Sequence, residues 1–316
     1  MKEAKVYFLP NDLISKTQEL TQEYQSPLDI PFEQLKSLVP NFTKFFSNSN
    51  TFERLDKDGI IAIDFQSREY SLVLTSALFY LCNESFFDPV IDEKENLPFL
   101  SFRSVTNLDP DALSVVAEQS EFYYACRSPE FVLGFHNDEH IKPDGYTIPR
   151  LLSLVNVSIN HFKPGNFYYM PIHTWPEFNN YFDMMHKNSV LYKPTRTVHE
   201  SELDKLQIHN DEPWGSLPIF WTDEVTKEKV VFVNGQMKDL EGTNNIGMVI
   251  ESLSNNENVL YVPHKMNRMI IIKNNCGFHS RDKFKDIIPN TDGKRVFLRA
   301  ISKEDINVPY RSRAVE

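Results

Sequence analysis

Two histidines and one carboxylate in the sequence are placed where they could together bind a divalent metal ion. His136 and Asp138 stand at the end of the apolar run Phe131–His136, and His279 follows a second apolar run, Met269–Lys273. Two histidines and one carboxylate on one face of an iron ion form the facial triad, which leaves further coordination positions open. A 2-oxo acid can occupy two of these positions and dioxygen the third. The residues therefore predict an iron centre.

The same H-x-D spacing occurs twice in the chain. With nine histidines and roughly one acidic residue in seven, about one H-x-[DE] tripeptide is expected by chance. His136–Asp138 and His209–Asp211 are both candidates, and either pair could meet His279 in a folded barrel. Local context favours the first pair, because it ends an apolar strand pattern and a preorganised site is best held by a rigid element. The second pair lies among turn-forming residues, and its alternative interpretation is a solvated loop.

Two arginines near the C-terminus could bind a second negatively charged group. Arg295 and Arg299 are four residues apart in the run Arg295–Ile301, so on a strand they share one face. A dicarboxylate such as 2-oxoglutarate needs this kind of anchor when a metal binds its keto-acid end. Arginine binds carboxylates through two parallel hydrogen bonds. The alternative is a pair of surface arginines on a strand.

The elements that must position these residues change in character along the chain. Residues 1–128 predict helical support with at least one strand, Gly59–Phe65. The predicted helices are Leu13–Tyr24, Pro31–Phe46 with a break near Pro40, and Tyr70–Cys82.

Residues 129–305 predict a β core, because short apolar runs alternate there with turn residues, as in a sandwich or barrel. The predicted strands are Phe131–His136, Leu151–Ile159, Leu217–Trp221, Lys229–Val233, Asn258–Val262, Met269–Lys273 and Arg295–Ile301. A helix over Thr174–Ser189 is inserted among them and could form part of a lid. With residues 306–316 as a C-terminal tail, we expect one α+β domain with a mainly β core.

Composition excludes several classes of protein. A formal net charge of −11 argues against nucleic acid and anionic membranes as partners. The 10 glycines form neither GxGxxG nor GxxxxGK[ST], so the two commonest nucleotide-binding fingerprints are absent. Three scattered cysteines disfavour a thiolate zinc site and favour the reducing cytoplasm. No apolar run is long enough to cross a membrane.

The C-terminal motifs resemble a known family. An apolar strand, Asn-Asn, His279-Ser-Arg281, a short loop and Asp292-Gly-Lys-Arg295-Val-Phe-Leu-Arg299 are similar to the clavaminate-synthase-like iron(II)/2-oxoglutarate oxygenases, especially those that hydroxylate free amino acids. The resemblance covers about residues 120–305 and implies a double-stranded β-helix, or jelly roll. It implies His136, Asp138 and His279 as the ligands of Fe(II). It also implies Arg295 as the anchor of 2-oxoglutarate.

Other residues follow less directly from the resemblance. It places Arg299 near the substrate carboxylate or the co-substrate, and it places Asp211 and Glu212 where arginine-hydroxylating relatives carry acidic residues. Their alternative is a solvated acidic turn. Glu139, which follows the predicted metal ligand, could bind an amino group of the substrate.

Two departures from the family are visible. The interval from His279 to Arg295 is about two residues longer than in the amino-acid hydroxylases, and the acidic ligand is Asp where several relatives have Glu. An acidic residue at Asp138 leaves no open space for a halide and therefore argues against a halogenase.

We expect an iron(II)- and 2-oxoglutarate-dependent dioxygenase that uses O2 to hydroxylate an unactivated carbon of a free L-amino acid, with a basic side chain favoured. Such chemistry needs no protein acid or base beyond the metal ligands. One alternative is an oxygenase for a small dicarboxylate or for a residue within a peptide or protein. Another is a non-catalytic β-barrel module that binds a metabolite or a partner protein.

Overall fold

Helices dominate the N-terminal part of the chain. The computed structural model describes residues 1–66, 71–106, 111, 125–143, 145–186, 188–194 and 214–312. Within these residues the α-helices are α1 (Asn11–Thr21), α2 (Phe32–Leu35), α3 (Val39–Asn48), α4 (Thr51–Asp58), α5 (Leu72–Phe86), α6 (Phe178–Met185) and α7 (Asn245–Ser254). Helix α5 begins where the Ser71 hydroxyl accepts the Leu74 amide, a side-chain N-cap.

Strands follow throughout the chain and become dense after residue 130. The first are β1 (Lys2–Glu3), β2 (Val6–Phe8), β3 (Ile60–Asp64), β4 (Leu100–Arg103), β5 (Leu133–His136), β6 (His140–Lys142), β7 (Gly145–Pro149), β8 (Leu151–Ile159), β9 (His161–Lys163), β10 (Asn166–Pro171) and β11 (Ser189–Tyr192). The others are β12 (Gly215–Pro218), β13 (Phe220–Thr222), β14 (Lys229–Val231), β15 (Met237–Lys238), β16 (Leu260–Pro263), β17 (Arg268–Lys273), β18 (Gly277–Arg281), β19 (Lys285–Ile287), β20 (Arg295–Ile301), β21 (Asp305–Asn307) and β22 (Arg311–Ser312).

The largest sheet, with order β2-β3-β17-β8-β20-β4, has apolar residues buried on both faces. Alternate residues of a strand point to opposite faces. Ile61 and Ile271 lie in the core shared with the N-terminal helices, whereas Ala62 and Ile270 face the other layer. The sheet therefore separates the helical support from the part of the molecule that carries the candidate site.

A five-stranded sheet, with order β1-β16-β10-β18-β5, forms the facing layer. Phe167 and Tyr169 of β10 pack against residues of the larger sheet in one buried cluster. The N-terminal segment joins both layers, because β1 pairs in parallel with β16 and β2 pairs in parallel with β3. Smaller sheets are formed by β15-β11-β12-β22, β13-β14, β19-β9 and β21-β7-β6.

The mixture of helices and strands predicted from the sequence is confirmed. Strands β8 and β20 have the predicted limits, and β3 lies within the predicted Gly59–Phe65. The inserted helix is shorter than the predicted Thr174–Ser189, because Pro176 lies in a turn before α6 and Ser189 already begins β11. In the described parts of the chain, no helix has the length and apolar character needed to span a membrane.

Candidate metal centre

Two neighbouring strands bring the predicted metal-binding residues together. β5 ends at His136, which is directly opposite His279 in the antiparallel pairing of β5 with β18. Asp138 follows two residues after His136, and its Oδ1 lies 3.3 Å from Nε2 of His136 and 3.4 Å from Nε2 of His279. The candidate ligand atoms all lie within 4.8 Å of one another. Two imidazole nitrogens and one carboxylate at this spacing suit a divalent transition metal.

Two asparagines hold the loop that carries Asp138. The side-chain amide of Asn137 donates to the carbonyls of Asn274 and Gly277, at 2.9 and 2.8 Å, and its oxygen accepts the Val233 amide at 3.0 Å. Asn274 in turn accepts the backbone N–H of Asp138 at 2.9 Å and donates to its carbonyl at 2.8 Å. Because this loop is fixed at both backbone groups of Asp138, the carboxylate is preorganised beside the histidines.

The protonation states favour a bound cation. Burial, followed by the nearby His136, lowers the pKa of His279 to about 4, so its imidazole is neutral at physiological pH. Burial opposes ionisation of Asp138, but the Arg299 charge and the two histidine hydrogen bonds hold its pKa well below the usual range. Metal ligands must be deprotonated, and His279 and Asp138 already meet that condition.

The first arginine neighbour of the centre is Arg299 on β20. Its Nη2 lies 2.6 Å and its Nε 2.8 Å from Oδ2 of Asp138, so the guanidinium binds the oxygen of that carboxylate that does not face the histidines. Oδ1 is the carboxylate oxygen closer to both imidazoles. The structure thus places Arg299 directly beside the candidate metal ligand.

Arg295 lies further along the same strand, about 13 Å from Arg299 for four residues of extended chain. Its side chain is buried, and its Nε donates to Oδ1 of Asn156 on β8 at 2.5 Å. The guanidinium lies over the rings of Phe284 and Phe297, 5.2 and 4.2 Å from their centroids. Burial lowers the pKa of Arg295, which shows how strongly this site would favour a bound anion.

A cavity of about 180 Å³ connects these groups. Its lining includes His136, Asp138, His279, Arg299, Arg295 and His264. We call the part beside His136, Asp138 and His279 the metal end, and the part beside Arg295 and His264 the anchor end. The cavity therefore joins a set of metal-binding atoms to a buried positive charge.

The predicted substrate residues have different outcomes. Glu139 lines the same cavity, and its Oε2 accepts a hydrogen bond of 3.1 Å from Nδ2 of Asn234. Asp211 and Glu212 lie outside the described residues, as does His209, so the structure does not place the rival H-x-D pair.

A third arginine fixes the backbone at one side of the cavity. Arg281, two residues after His279, donates to the carbonyls of Phe131, Ala125 and Ser128 at 2.8, 2.5 and 2.6 Å. These contacts use its guanidinium to hold the segment that leads into β5. Its role here is structural.

Sequence reasoning missed three side chains near the cavity. Asn137 and Asn274 orient the Asp138 loop, and His264 lines the anchor end. In the sequence, the adjacent asparagines before Cys276 stand out only as part of a longer motif. No local pattern distinguishes His264 from the other histidines.

Comparisons with known proteins place the fold. No family model matches the sequence, and no curated protein matches it. Among solved structures it is similar to an asparagine oxygenase in complex with Fe(II), 2S,3S-3-hydroxyasparagine and succinate, with 15% identity, a TM-score of 0.60, and coverage of 94% of this chain and 93% of that one.

Two further solved structures agree. One is the non-heme iron oxygenase OrfP in complex with Fe and alpha-ketoglutaric acid, with 14% identity, a TM-score of 0.59, and coverage of 95% of this chain and 94% of that one. Another is a taurine dioxygenase from Burkholderia xenovorans, with 11% identity, a TM-score of 0.50, and coverage of 82% and 85%. The chain therefore has the fold of these oxygenases, which confirms at the level of fold the resemblance seen in the sequence.

Proposed function

We propose that the chain is an iron(II)- and 2-oxoglutarate-dependent dioxygenase that hydroxylates an unactivated carbon of a free L-amino acid. The observation that carries the proposal is the buried group of His136, Asp138 and His279 on a cavity that also contains Arg295. The fold shared with the asparagine oxygenase and OrfP supports it. The jelly-roll description of the β core, in a single domain, belongs to the same proposal.

The donor set fits iron(II). His136, Asp138 and His279 offer two imidazoles and one carboxylate and would hold the metal on one face. When bound there, iron with 2-oxoglutarate and O2 supplies the oxidation that converts 2-oxoglutarate and a C–H bond to succinate, CO2 and a C–OH group. The protein holds these components in register, and the loop fixed by Asn137 and Asn274 keeps the carboxylate in place.

Arg295 would bind the carboxylate of 2-oxoglutarate that is remote from the keto acid. Its buried guanidinium is paired with the neutral Asn156 amide and, within the described residues, with no carboxylate. A buried cation without a counter-ion is costly, so an anionic ligand at this position is stabilising.

Arg299 and Glu139 would bind the substrate. Both line the cavity close to Asp138, one positive and the other negative, as the carboxylate and amino groups of an amino acid require. The preference for a basic side chain rests on Asp211 and Glu212 and stays a prediction. Two of the similar structures hold hydroxylated asparagine and hydroxylated arginine, which supports the class of substrate.

The cellular location is part of the proposal. Cys82, Cys126 and Cys276 are free thiols. Sparse, unpaired cysteines are typical of a reducing compartment, and we propose the cytoplasm on that basis.

Succinate release tests the function. Purified protein with Fe(II), ascorbate and 2-oxoglutarate should release succinate faster when the correct amino acid is added, and mass spectrometry should find a product heavier by one oxygen atom. A panel of free amino acids that all fail would favour a small dicarboxylate or a peptide as the substrate. Failure to bind both iron and 2-oxoglutarate would favour a non-catalytic binding module.

A pair of matched variants tests the choice of ligands. Asp138→Ala should abolish succinate release, whereas Asp211→Ala should leave iron binding intact. The opposite result would assign the metal to His209 and Asp211. If neither substitution changes turnover, the oxygenase proposal is wrong.

A further inference from the structure

His264 is held firmly at the anchor end by the turn between β16 and β17. Its backbone N–H donates to the carbonyl of Gly165 at 3.0 Å. Three residues later, the N–H of Asn267 donates to the carbonyl of Asn156 at 2.8 Å. The flanking Lys265 and Arg268 both bind the buried carboxylate of Asp64, at 2.8 and 2.9 Å. The imidazole is therefore presented by a fixed backbone.

One amide group links His264 to Arg295. Arg295 Nε can only donate, so the atom of Asn156 that lies 2.5 Å from it must be the amide oxygen. The other end of the same amide is then the NH2 group, which lies 3.3 Å from Nδ1 of His264. An NH2 group can only donate, so Nδ1 of His264 must be the unprotonated, accepting nitrogen.

The remaining ring nitrogen of His264 must carry the proton. A neutral imidazole with an accepting Nδ1 has its hydrogen on Nε2. This Nε2 is buried, and within the described residues it has no hydrogen-bond partner. His264 lines the cavity together with Arg295, and both groups contact the ring of Phe284, at 5.0 Å for the imidazole centroid and 5.2 Å for the guanidinium carbon.

An unpartnered buried donor next to an uncompensated cation points to one kind of ligand. Unsatisfied buried polar groups are rare in folded proteins and usually mark an absent ligand or water. A donor and a guanidinium converging on one cavity are complementary to an anion with several acceptor oxygens. The burial of His264 and the charges of Arg295 and Arg281 lower the pKa of this histidine, in agreement with a neutral ring.

We infer that His264 is a second binding residue for the remote carboxylate of the 2-oxo dicarboxylate, with its Nε2–H donating to a carboxylate oxygen while Arg295 binds the same group. Asn156 is the positioning residue, because its amide orients the guanidinium and sets the tautomer of His264. This inference rests on the proposed function and makes the anchor end specific for dicarboxylates over shorter monocarboxylic 2-oxo acids.

The test compares two 2-oxo acids that differ in the remote carboxylate. Calorimetry on the Fe(II) protein without oxygen measures the Kd of 2-oxoglutarate and of 2-oxobutyrate, which lacks that group. His264→Phe keeps a ring and removes the donor, so the Kd of 2-oxoglutarate should rise about tenfold, as expected for one hydrogen bond to a charged group. The Kd of 2-oxobutyrate should not change. His264→Gln, which keeps an N–H donor, should recover part of the loss.

His161→Phe is the matched control. His161 is also buried against Phe284, with ring centroids 5.5 Å apart, but it is not part of the cavity lining. This variant should change neither Kd. An unchanged 2-oxoglutarate Kd in His264→Phe, or an equal loss for both oxo acids, would overturn the inference and leave the proposed function standing.

Two further outcomes separate the inference from the proposal on which it rests. If the wild-type Fe(II) protein binds neither oxo acid, the proposed function fails and the inference fails with it. If His264→Phe does not fold, nitrogen-15 NMR of histidine in the wild-type protein decides instead. A proton on Nε2 of His264 supports the inference, and a proton on Nδ1 overturns it.

Discussion

The two ends of the cavity solve opposite electrostatic problems. At the metal end, Asp138 accepts from Arg299 and lies against two imidazoles, and its backbone is bound by Asn274. At the anchor end, the positive charge of Arg295 is matched only by the neutral amide of Asn156 within the described residues. The metal end therefore presents prepared acceptors for a cation, whereas the anchor end presents donors suited to an anion. Separate substitutions should disturb one end without the other.

The largest expected effect is loss of the metal. His279→Ala removes one of the imidazole ligands, and iron affinity should fall at least about 100-fold, because even residues that only orient a ligand contribute about 10- to 100-fold. Iron bound per chain after anaerobic dialysis is the measurement. His173→Ala, at an exposed histidine, is the control and should keep its iron. Equal iron content in both variants would remove His279 from the metal end.

Next in size is the loss of the buried positive charge. Arg295→Gln should weaken 2-oxoglutarate binding about 100-fold, as expected when one partner of a buried charge pair is removed. Iron binding in the absence of 2-oxoglutarate should be unchanged, which separates the two ends. Lys283→Gln removes the same charge from an exposed position and should have little effect on either ligand. A parallel loss of iron would mean that the ends are not independent.

A smaller effect is expected from the support of the metal end. Asn274→Ala removes both hydrogen bonds to the Asp138 backbone, so iron affinity should fall about tenfold. The free energy of unfolding should fall by about 2 kcal/mol, because buried partners lose their hydrogen bonds. Denaturant titration and iron binding measure the two losses. Asn275→Ala changes the adjacent asparagine, and a similar loss of iron affinity there would show that the effect is not specific to Asn274.

The smallest effect should come from the support of the anchor end. Asp64→Asn removes the charge that holds Lys265 and Arg268 on either side of the turn, so 2-oxoglutarate binding should weaken about threefold, with iron binding unchanged. Calorimetry with each ligand measures both effects, and a loss as large as that of Arg295→Gln would contradict the ranking. Burial opposes ionisation of Asp64, but its hydrogen bonds to Lys265, Gln66 and Arg268 lower its pKa.

The same carboxylate makes a prediction about acid. Because its pKa is lower in the folded than in the unfolded chain, Asp64 stabilises the fold above the unfolded value of about 4, and this stability is lost as the pH falls through the folded value. Asp64→Asn should therefore show a smaller loss of stability in acid than the wild type. Thermal unfolding between about pH 6 and pH 3 tests this, and identical acid slopes would contradict it.

Sequence patterns predicted those parts of the molecule that are governed by local order. The limits of β8 and β20 follow from continuous apolar runs, and His136 and Asp138 are favoured over His209 and Asp211 because a strand leads into them. The structure brings the favoured pair to His279. The part of the chain with the rival pair is not among the described residues, so that comparison stays with the proposed variants.

Tertiary hydrogen bonds were beyond the reach of sequence patterns. His264 and Asn156 are 108 residues apart, and Asn137 and Asn274 are 137 residues apart. Neither pair has a periodicity or a spacing that marks it, because the contact exists only after the two sheets have been stacked. The identity of such residues becomes informative when the donors and acceptors around them can be counted.

The short N-terminal segment has a consequence for the order of folding. β1 pairs with β16 in one sheet, while β2, which follows a short link, pairs with β3 in the other. The first of these pairings joins Lys2 to Leu260, so it cannot form during synthesis until most of the chain up to β16 has left the ribosome. Such long-range closure is a slow step in folding. A late contact made by these N-terminal residues thus locks the two layers around the cavity.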